Sequence, residues 1–191
     1  LAPLLADLSI HRLDLIIADR PMPPNLNVRG YSHLLGESDL TVFGTRPLVK
    51  KLSGGFPALL DNAPFLLPGE DVAIRPKLLQ RLDAKGLRPR IVGEFDDSAL
   101  MKAFGRGGAG CFAAPTAMAD YVCGHYGVQA IGRVESVTEE LYAITTERRL
   151  QHPATLAVSR AASRDLFGEA GPGNATPSPG RRRGSRARRP A

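Results

Sequence analysis

Residues 93–105 read Gly-Glu-Phe-Asp-Asp-Ser-Ala-Leu-Met-Lys-Ala-Phe-Gly, and this stretch is the most informative part of the chain. It is typical of the end of a strand, a turn with two aspartates and the start of an amphipathic helix. Either aspartate can cap the helix by accepting hydrogen bonds from its free amide groups. Leu100, Met101 and Phe104 recur at helical spacing and can pack inward. Polar turns that lead from a strand into a helix are where open α/β sheets bind their ligands.

The turn concentrates negative charge, because Glu94, Asp96 and Asp97 lie within four residues. Carboxylates this close repel one another unless a cation, a basic side chain or a proton offsets them. Arg90, Lys102 or Arg106 are candidates for a structural counter-charge. Two interpretations therefore stay open at this point. The turn is either part of a cation site or the solvated start of an ordinary capped helix.

Strand and helix patterns alternate along the rest of the chain. The patterns predict strands at 13–18, 26–35, 39–43, 65–67, 90–95, 109–113, 128–131 and 139–145, and helices at 1–11, 72–85, 97–106, 116–126 and 153–166. Alternation of this kind predicts an α/β fold with a largely parallel sheet. The chain has 191 residues, 43% of them hydrophobic, which suffices for one sizeable core or two small ones.

Charge and cysteine content narrow the class of protein. Residues 168–191 hold six arginines and one glutamate, and without them the formal charge falls from +6 to +1. The globular part is therefore not expected to present a basic face to nucleic acid. Cys111 and Cys123 are too few for a disulfide framework and are predicted to be buried free thiols, which fits a reducing cytoplasm. No apolar run reaches 18 residues, so no membrane span is predicted.

Five segments resemble, in the same order, the C-terminal effector domain of LysR-type transcriptional regulators. They are residues 11–19, 67–69, 93–105 together with 113–116, 131–135, and 147–154. The resemblance spans about residues 1–167 and is strongest to members that activate a sodium/proton antiporter gene in response to sodium. His11 stands where the family usually has a glycine that ends the first helix, so a C-cap role is expected.

The resemblance implies a two-lobed, type 2 periplasmic-binding-protein-like fold. Lobe one would comprise residues 1–45 and lack its first strand, lobe two residues 46–147, and residues 148–167 a helix that returns to lobe one. Residues 168–191 are rich in Arg, Gly and Pro and are predicted to be a disordered tail. Because the chain opens on Leu1, we interpret it as truncated at its N-terminus, with the family's winged helix-turn-helix, which contacts operator DNA, lying before it.

The family binds its effectors between the lobes. Carried over by position, the effector contacts fall on Asp19, Pro68, Gly69, Glu70, Glu94, Asp96, Asp97, Ser98 and Thr116. Most effectors of the family are anionic, and helix N-termini suit anions. Three acids at one turn invert that preference, and hard cations take oxygen ligands from carboxylates. An alkali cation near Glu94, Asp96 and Asp97 is therefore our hypothesis, and no cofactor is expected.

The prediction is an effector-sensing and oligomerisation domain of a LysR-type activator that controls a sodium/proton antiporter gene under sodium, lithium or alkaline stress. A dimer or tetramer is implied, with contacts through the helices at 1–11 and 116–126. A solute-binding protein of the same fold is one alternative. A small metal-dependent enzyme that uses Asp96 and Asp97 is another, although no catalytic triad can be assembled and His33, His125 and His152 lack metal-ligand spacing.

Overall fold

Two long antiparallel strands run through the molecule and connect its two lobes. Strands β2 (Tyr31–Gly44) and β6 (Gln129–Thr145) pair from end to end in the computed structural model, which describes residues 1–24 and 29–167. In lobe one, the short strand β1 (Ile16–Ala18) adds to β6. In lobe two, strand β5 (Phe112–Pro115) adds to β2. The sheet order is β1-β6-β2-β5, and every pairing in it is antiparallel.

Lobe two contains a second sheet, which is parallel. Its strands are β3 (Pro64–Pro68) and β4 (Arg90–Phe95), and β3 also bridges to Cys111 just before β5. The helices are α1 (Ala2–Ser9), α2 (Arg46–Val49), α3 (Ile74–Ala84), α4 (Ser98–Arg106), α5 (Ala119–Tyr126) and α6 (Pro153–Phe167), with single 3-10 turns at Ala58–Leu60 and Thr116–Met118.

The element ends agree with the local sequence signals. Strand β4 has the predicted bounds, and α4 begins directly after Asp97, whose carboxylate accepts from the Leu100 amide at 2.8 Å. His11, just beyond α1, has a φ of 57° in the left-handed region that favours glycine. It therefore occupies the position at which a helix commonly ends.

The hydrophobic core is divided unequally. Lobe two packs around two clusters: one lies between α3 and the sheets, with Phe65 and Leu78 fully buried, and the other between α4, α5 and β5, with Phe43 and Phe112 fully buried. Lobe one has a small cluster of Leu5, Leu8, Ile16 and Ile144.

Both cysteines are free, as predicted, but they differ in exposure. Cys111 is buried in the core of lobe two, and burial raises the pKa of its thiol to about 11. Cys123 on α5 is half-buried, so the prediction of two buried thiols is wrong for this residue.

The prediction of a largely parallel sheet is wrong, because the strands shared by the lobes are antiparallel. The pieces predicted at 26–35 and 39–43 are joined in one strand, β2, which begins at Tyr31, so Arg29 and Gly30 lie outside it. Those at 128–131 and 139–145 are joined in β6, which begins at Gln129. The polar interruption at 36–38, between the two predicted pieces of β2, does not break the strand. Register shifts after Leu34 and Asp39 absorb it without ending the strand, as β-bulges do.

The α/β, two-lobed fold class is confirmed. The return of the last helix to lobe one stays a prediction, and the Ser163 hydroxyl on α6 donates to the Leu35 carbonyl on β2 at 2.7 Å. The predicted lobe limits at 45/46 and 147/148 stay a prediction; here lobe one denotes the part built on α1, β1 and the paired stretches 31–39 of β2 and 138–145 of β6, and lobe two denotes the remainder of the sheet with β3, β4 and β5. The largest irregularity of the shared ladder lies where Asp39 pairs with Thr138 but Leu40 pairs with Val134. The predicted tail at 168–191 lies outside the described residues. Within the part that is described, no helix is long and apolar enough to cross a membrane.

Candidate functional site

A cavity of about 330 Å³ lies between the two lobes. Lobe one contributes Asp19, which follows β1, and Glu139 on β6. Lobe two contributes Asp96 from the turn before α4, and Ser98 and Lys102 from α4 itself. Buried apolar side chains of α3 and β5 form its floor. A mostly apolar cavity of this size with a few convergent polar groups is typical of a small-ligand site.

Two half-buried groups of opposite charge face the cavity from different lobes. Burial lowers the pKa of the Lys102 ammonium, although the charges of Glu139 and Asp97 act in the other direction. Burial likewise raises the pKa of the Glu139 carboxyl, which Lys102 opposes and Asp19 reinforces. Each group is thus held where its charged form is disfavoured. Since Lys102 belongs to lobe two and Glu139 to lobe one, the energy of the pair depends on how the lobes are arranged.

Asp19 connects the lobes directly. Its carboxylate accepts from the backbone amide of Ala73, at the start of α3, at 2.8 Å. Arg20 pairs with the same carboxylate, with Nε 3.0 Å from Oδ1, and donates to the Asp71 carbonyl. Burial raises the pKa of Asp19, but the bonds from Arg20 and Ala73 together hold it below its ordinary value. The loop after β1 is therefore tied to the N-terminus of α3.

The three acids of the turn do not converge. Glu94 pairs with Arg75, with Oε2 2.6 Å from Nη1, and this bond holds the pKa of Glu94 below its ordinary value. Asp97 caps α4, and Asp96 is the member of the three that lines the cavity. The counter-charge comes from Arg75 on α3, which the sequence analysis did not consider. Among the residues described, no group of three or more His, Cys, Asp or Glu is placed to hold a metal ion. The alkali-cation hypothesis at this turn stays a prediction.

The remaining predicted effector contacts lie around this cavity, which forms the cleft between the lobes. Pro68 lines the cavity, and Gly69 lies against it, where an added Cβ would overlap Oδ1 of Asp96. Glu70 is exposed at the end of the same loop. The Thr116 hydroxyl is 2.9 Å from the Thr41 hydroxyl on β2, close to the register shift between the lobes. Asp19, Pro68, Asp96 and Ser98 thus line one cavity, and their role as effector contacts stays a prediction.

Lys102 and Glu139 line the cavity but are not among the contacts predicted from the sequence. The sequence predicts Lys102 only as a structural counter-charge and Glu139 only as the first residue of a strand. A signal for Glu139 was present, because alternate residues of a strand face the same side and Leu141 and Ala143 follow it on an apolar face. A carboxylate at that position in a buried strand needs a partner or a ligand.

The two lobes, the shared antiparallel strands and the cavity between them define the class of type 2 periplasmic-binding-protein-like effector domains. The LysR substrate binding domain family matches residues 3–166, and the chain belongs to this family. Transcriptional activator protein NhaR of Escherichia coli (strain K12) is 40% identical over 167 residues, which cover 87% of this chain and 54% of the relative. The protein of the same name from Shigella flexneri gives the same values. The chain spans about half the length of these relatives.

Solved structures agree on the fold. The regulatory domain of HypT from Salmonella typhimurium, in its apo form, has a TM-score of 0.64 at 15% identity, over 87% of this chain and 80% of that one. The effector binding domain of QuiR in complex with shikimate has a TM-score of 0.58 at 18% identity, over 86% and 77%. These solved structures are regulatory or effector binding domains, and the curated relatives are transcriptional activators.

Proposed function

We propose that the chain senses an effector for a transcriptional activator of a sodium/proton antiporter gene. The 40% identity to an activator over most of the chain, together with the order of the five resembling segments, supports this proposal. Contact with operator DNA would belong to a winged helix-turn-helix outside the part that the family model matches, residues 3–166. Such a regulator acts in the cytoplasm, which the two free thiols fit.

The observation that carries the proposal is that Lys102 on α4 and Glu139 on β6 line the same cavity and interact electrostatically. An effector that offsets either charge changes the energy of one lobe arrangement more than the other. It therefore shifts the population between arrangements, which is the requirement for a ligand to act as a signal.

Sodium or lithium ions suit this site on chemical grounds. Carboxylate oxygens of Glu139 and Asp96 are ligands that hard cations prefer. A proton competes with the cation for Glu139, whose pKa is raised, and the ammonium of Lys102 repels the cation. As the pH rises, the proton leaves Glu139 and the ammonium of Lys102 loses its charge, so both the competition and the repulsion become weaker. A single cavity would then respond to sodium and to alkalinity together.

We further propose that two copies pair through α1 and α5, as the family implies. These helices and the turn after α1 expose apolar side chains: Leu4 is 45% exposed, Ile10 59% and Tyr121 55%. Large apolar side chains grouped on a surface are typical of protein–protein contacts.

The sensing proposal is tested with adjacent carboxylates as matched variants. The chain would replace the corresponding domain of the Escherichia coli activator, and reporter output would be titrated with sodium at fixed pH and ionic strength, with lithium and potassium in parallel. Glu139→Gln and Asp96→Asn should each raise the sodium midpoint at least fivefold, because each removes a charged oxygen ligand. Asp97→Asn should shift the midpoint much less, since its carboxylate caps α4 and acts on the cavity only through its charge on Lys102.

An unchanged midpoint in both cleft variants would exclude cation sensing in this cavity. Potassium acting as well as sodium would show that the output follows ionic strength. Retained helix content by circular dichroism in all three variants makes either result interpretable.

A further inference from the structure

A second cavity, of about 230 Å³, lies in lobe two at the C-terminal end of α3. Its walls come from α3, from the loop at 56–60 and from the segment of β6 at 133–135. Helix α3 spans the distance between the two cavities, because Ile74 and Leu78 line the cleft whereas Arg81 and Leu82 line the second cavity. The second cavity is separate from the cleft in its lining residues, and the proposed function does not use it.

The floor of this cavity is apolar and well packed. Leu60, Leu82 and Val134 are nearly inaccessible, at 1%, 4% and 6% exposure. The ring of Phe56 lies against Gly132, where an added Cβ would overlap it. These contacts hold the floor in place, so the inner part of any ligand must be apolar.

The rim carries three cationic side chains, Arg81, Lys85 and Arg133, and one carboxylate, Glu135. The pair between Arg81 and Glu135 is long, at 3.9 Å from Nη2 to Oε2, and the Glu135 side chain is 82% exposed. The Arg81 side chain is only 27% exposed, so its guanidinium is held at the cavity. A planar guanidinium forms two parallel hydrogen bonds with a carboxylate, which gives it a strong preference for that group.

We propose that this cavity binds a small amphipathic carboxylate, an aromatic or branched aliphatic acid with its apolar part on Leu60, Leu82 and Phe56. The carboxylate would face Arg81, with Lys85 and Arg133 beside it. The volume suits a single ring with one acid group. The excess of cations over acids at the rim favours an anion over a neutral molecule of equal shape.

The position of the cavity couples such a ligand to the lobe arrangement. Arg133 also pairs with Asp39 on β2, directly beside the register shift where the shared strands pass from one lobe to the other. Residues 135–137 of β6 have no partner on β2, and Ser136 has a φ of 63°. A bound anion competes with Asp39 for Arg133, and so it alters a contact at the connection between the lobes. The cavity is then a second regulatory site, distinct from the cleft.

The test is a titration of the ¹⁵N-labelled chain, residues 1–191, followed by NMR at constant ionic strength. Benzoate is the probe and benzamide its neutral counterpart. Benzoate should bind saturably with amide shifts at 81–87 and 133–135 and a further shift at Asp39, and benzamide should bind at least fivefold more weakly. Arg81→Gln should weaken benzoate about tenfold, the ratio that one lost charge-assisted bond of about 1.4 kcal/mol produces.

Lys50→Gln is the matched control, because Lys50 is exposed in lobe two away from the cavity and the change removes the same charge. It should leave benzoate affinity unchanged. Arg81→Lys keeps the charge without the planar fork and should give an intermediate loss, which separates recognition from misfolding. The proposal is overturned by absent saturation up to about 10 mM, tenfold above the affinity expected for so small a ligand. Equal binding of benzamide, equal loss in Lys50→Gln, or shifts confined to the cleft would each overturn it as well.

Discussion

The two lobes share their longest strands but differ greatly in how much they bury. Among the described residues, the two clusters of lobe two contain thirteen and seven buried side chains, whereas the cluster of lobe one contains four. The end of β2 in lobe one is also contacted by α6, where the Ser163 hydroxyl donates to the Leu35 carbonyl. Regions with few buried contacts open most readily. Lobe two is therefore the rigid partner, and lobe one is the side expected to yield when the lobes rearrange.

The largest expected effect tests this difference in packing. Phe112→Ala should destabilise the chain by about 3–5 kcal/mol, because the ring is fully buried, stacks on Phe43 at 5.6 Å and fills the space beside Gly105. Leu8→Ala in lobe one should cost about 2 kcal/mol, since a small cluster relaxes more easily around the vacancy. Urea denaturation followed by circular dichroism measures both. Equal losses would show that the lobes are packed equally well.

A second prediction concerns Gly69, which lies in a loop of lobe two beside the cleft. Gly69→Ala should cost about 1–3 kcal/mol, because the new Cβ would overlap the Asp96 carboxylate and force the turn to move. Gly55→Ala, with open space around it, should stay within about 0.5 kcal/mol. The double variant Gly69→Ala/Asp96→Ala should recover part of the loss. If the stability losses of the two single variants simply add in the double variant, as measured by thermal melts, the new Cβ clashes with the backbone and not with the Asp96 carboxylate.

The adjacent residues Asp96 and Asp97 of lobe two allow a structural role to be separated from a role in sensing. Asp97→Ala should cost about 1 kcal/mol, because it removes the cap that accepts from the Leu100 amide. Asp96→Ala should cost less, since its carboxylate lines the cavity. Chemical denaturation of the two variants side by side measures the difference. A larger loss in Asp96→Ala would reverse the roles assigned to these residues.

The smallest expected effect lies on the lobe-one wall of the cleft. Burial raises the folded-state pKa of Glu139, so folding is favoured below the ordinary glutamate pKa and loses that stability as the pH rises through the raised value. Glu139→Gln should therefore raise the thermal midpoint near neutral pH by about 1–3 °C, and the gain should vanish near pH 4. Exposed Glu37→Gln is the control. A gain that persists at pH 4 would contradict the electrostatic cause.

Several element ends and the family of this protein can be predicted from short stretches of its sequence. The bounds of β4, the start of α4 at its Asp97 cap, the end of α1 at His11 and the family itself all follow from short segments. Capping and hydrophobic periodicity act over one or two helical turns, so a single segment contains all the information they need. The polar residues nearest the cleft were found for the same reason, because strand-to-helix turns mark ligand sites.

The tertiary structure alone decided which distant residues meet. It joined the pieces of β2 and of β6 into two continuous strands, and it brought Glu139 of β6 and Lys102 of α4 to the same cavity. It also pairs the Glu94 carboxylate with Arg75, so that this carboxylate does not line the cleft. Pairings of this kind depend on strand register and on the closure of long loops, and neither leaves a signal in the neighbouring residues. The sequence therefore identifies a LysR substrate binding domain, whereas the charged residues that line its cleft are brought together only by the tertiary structure.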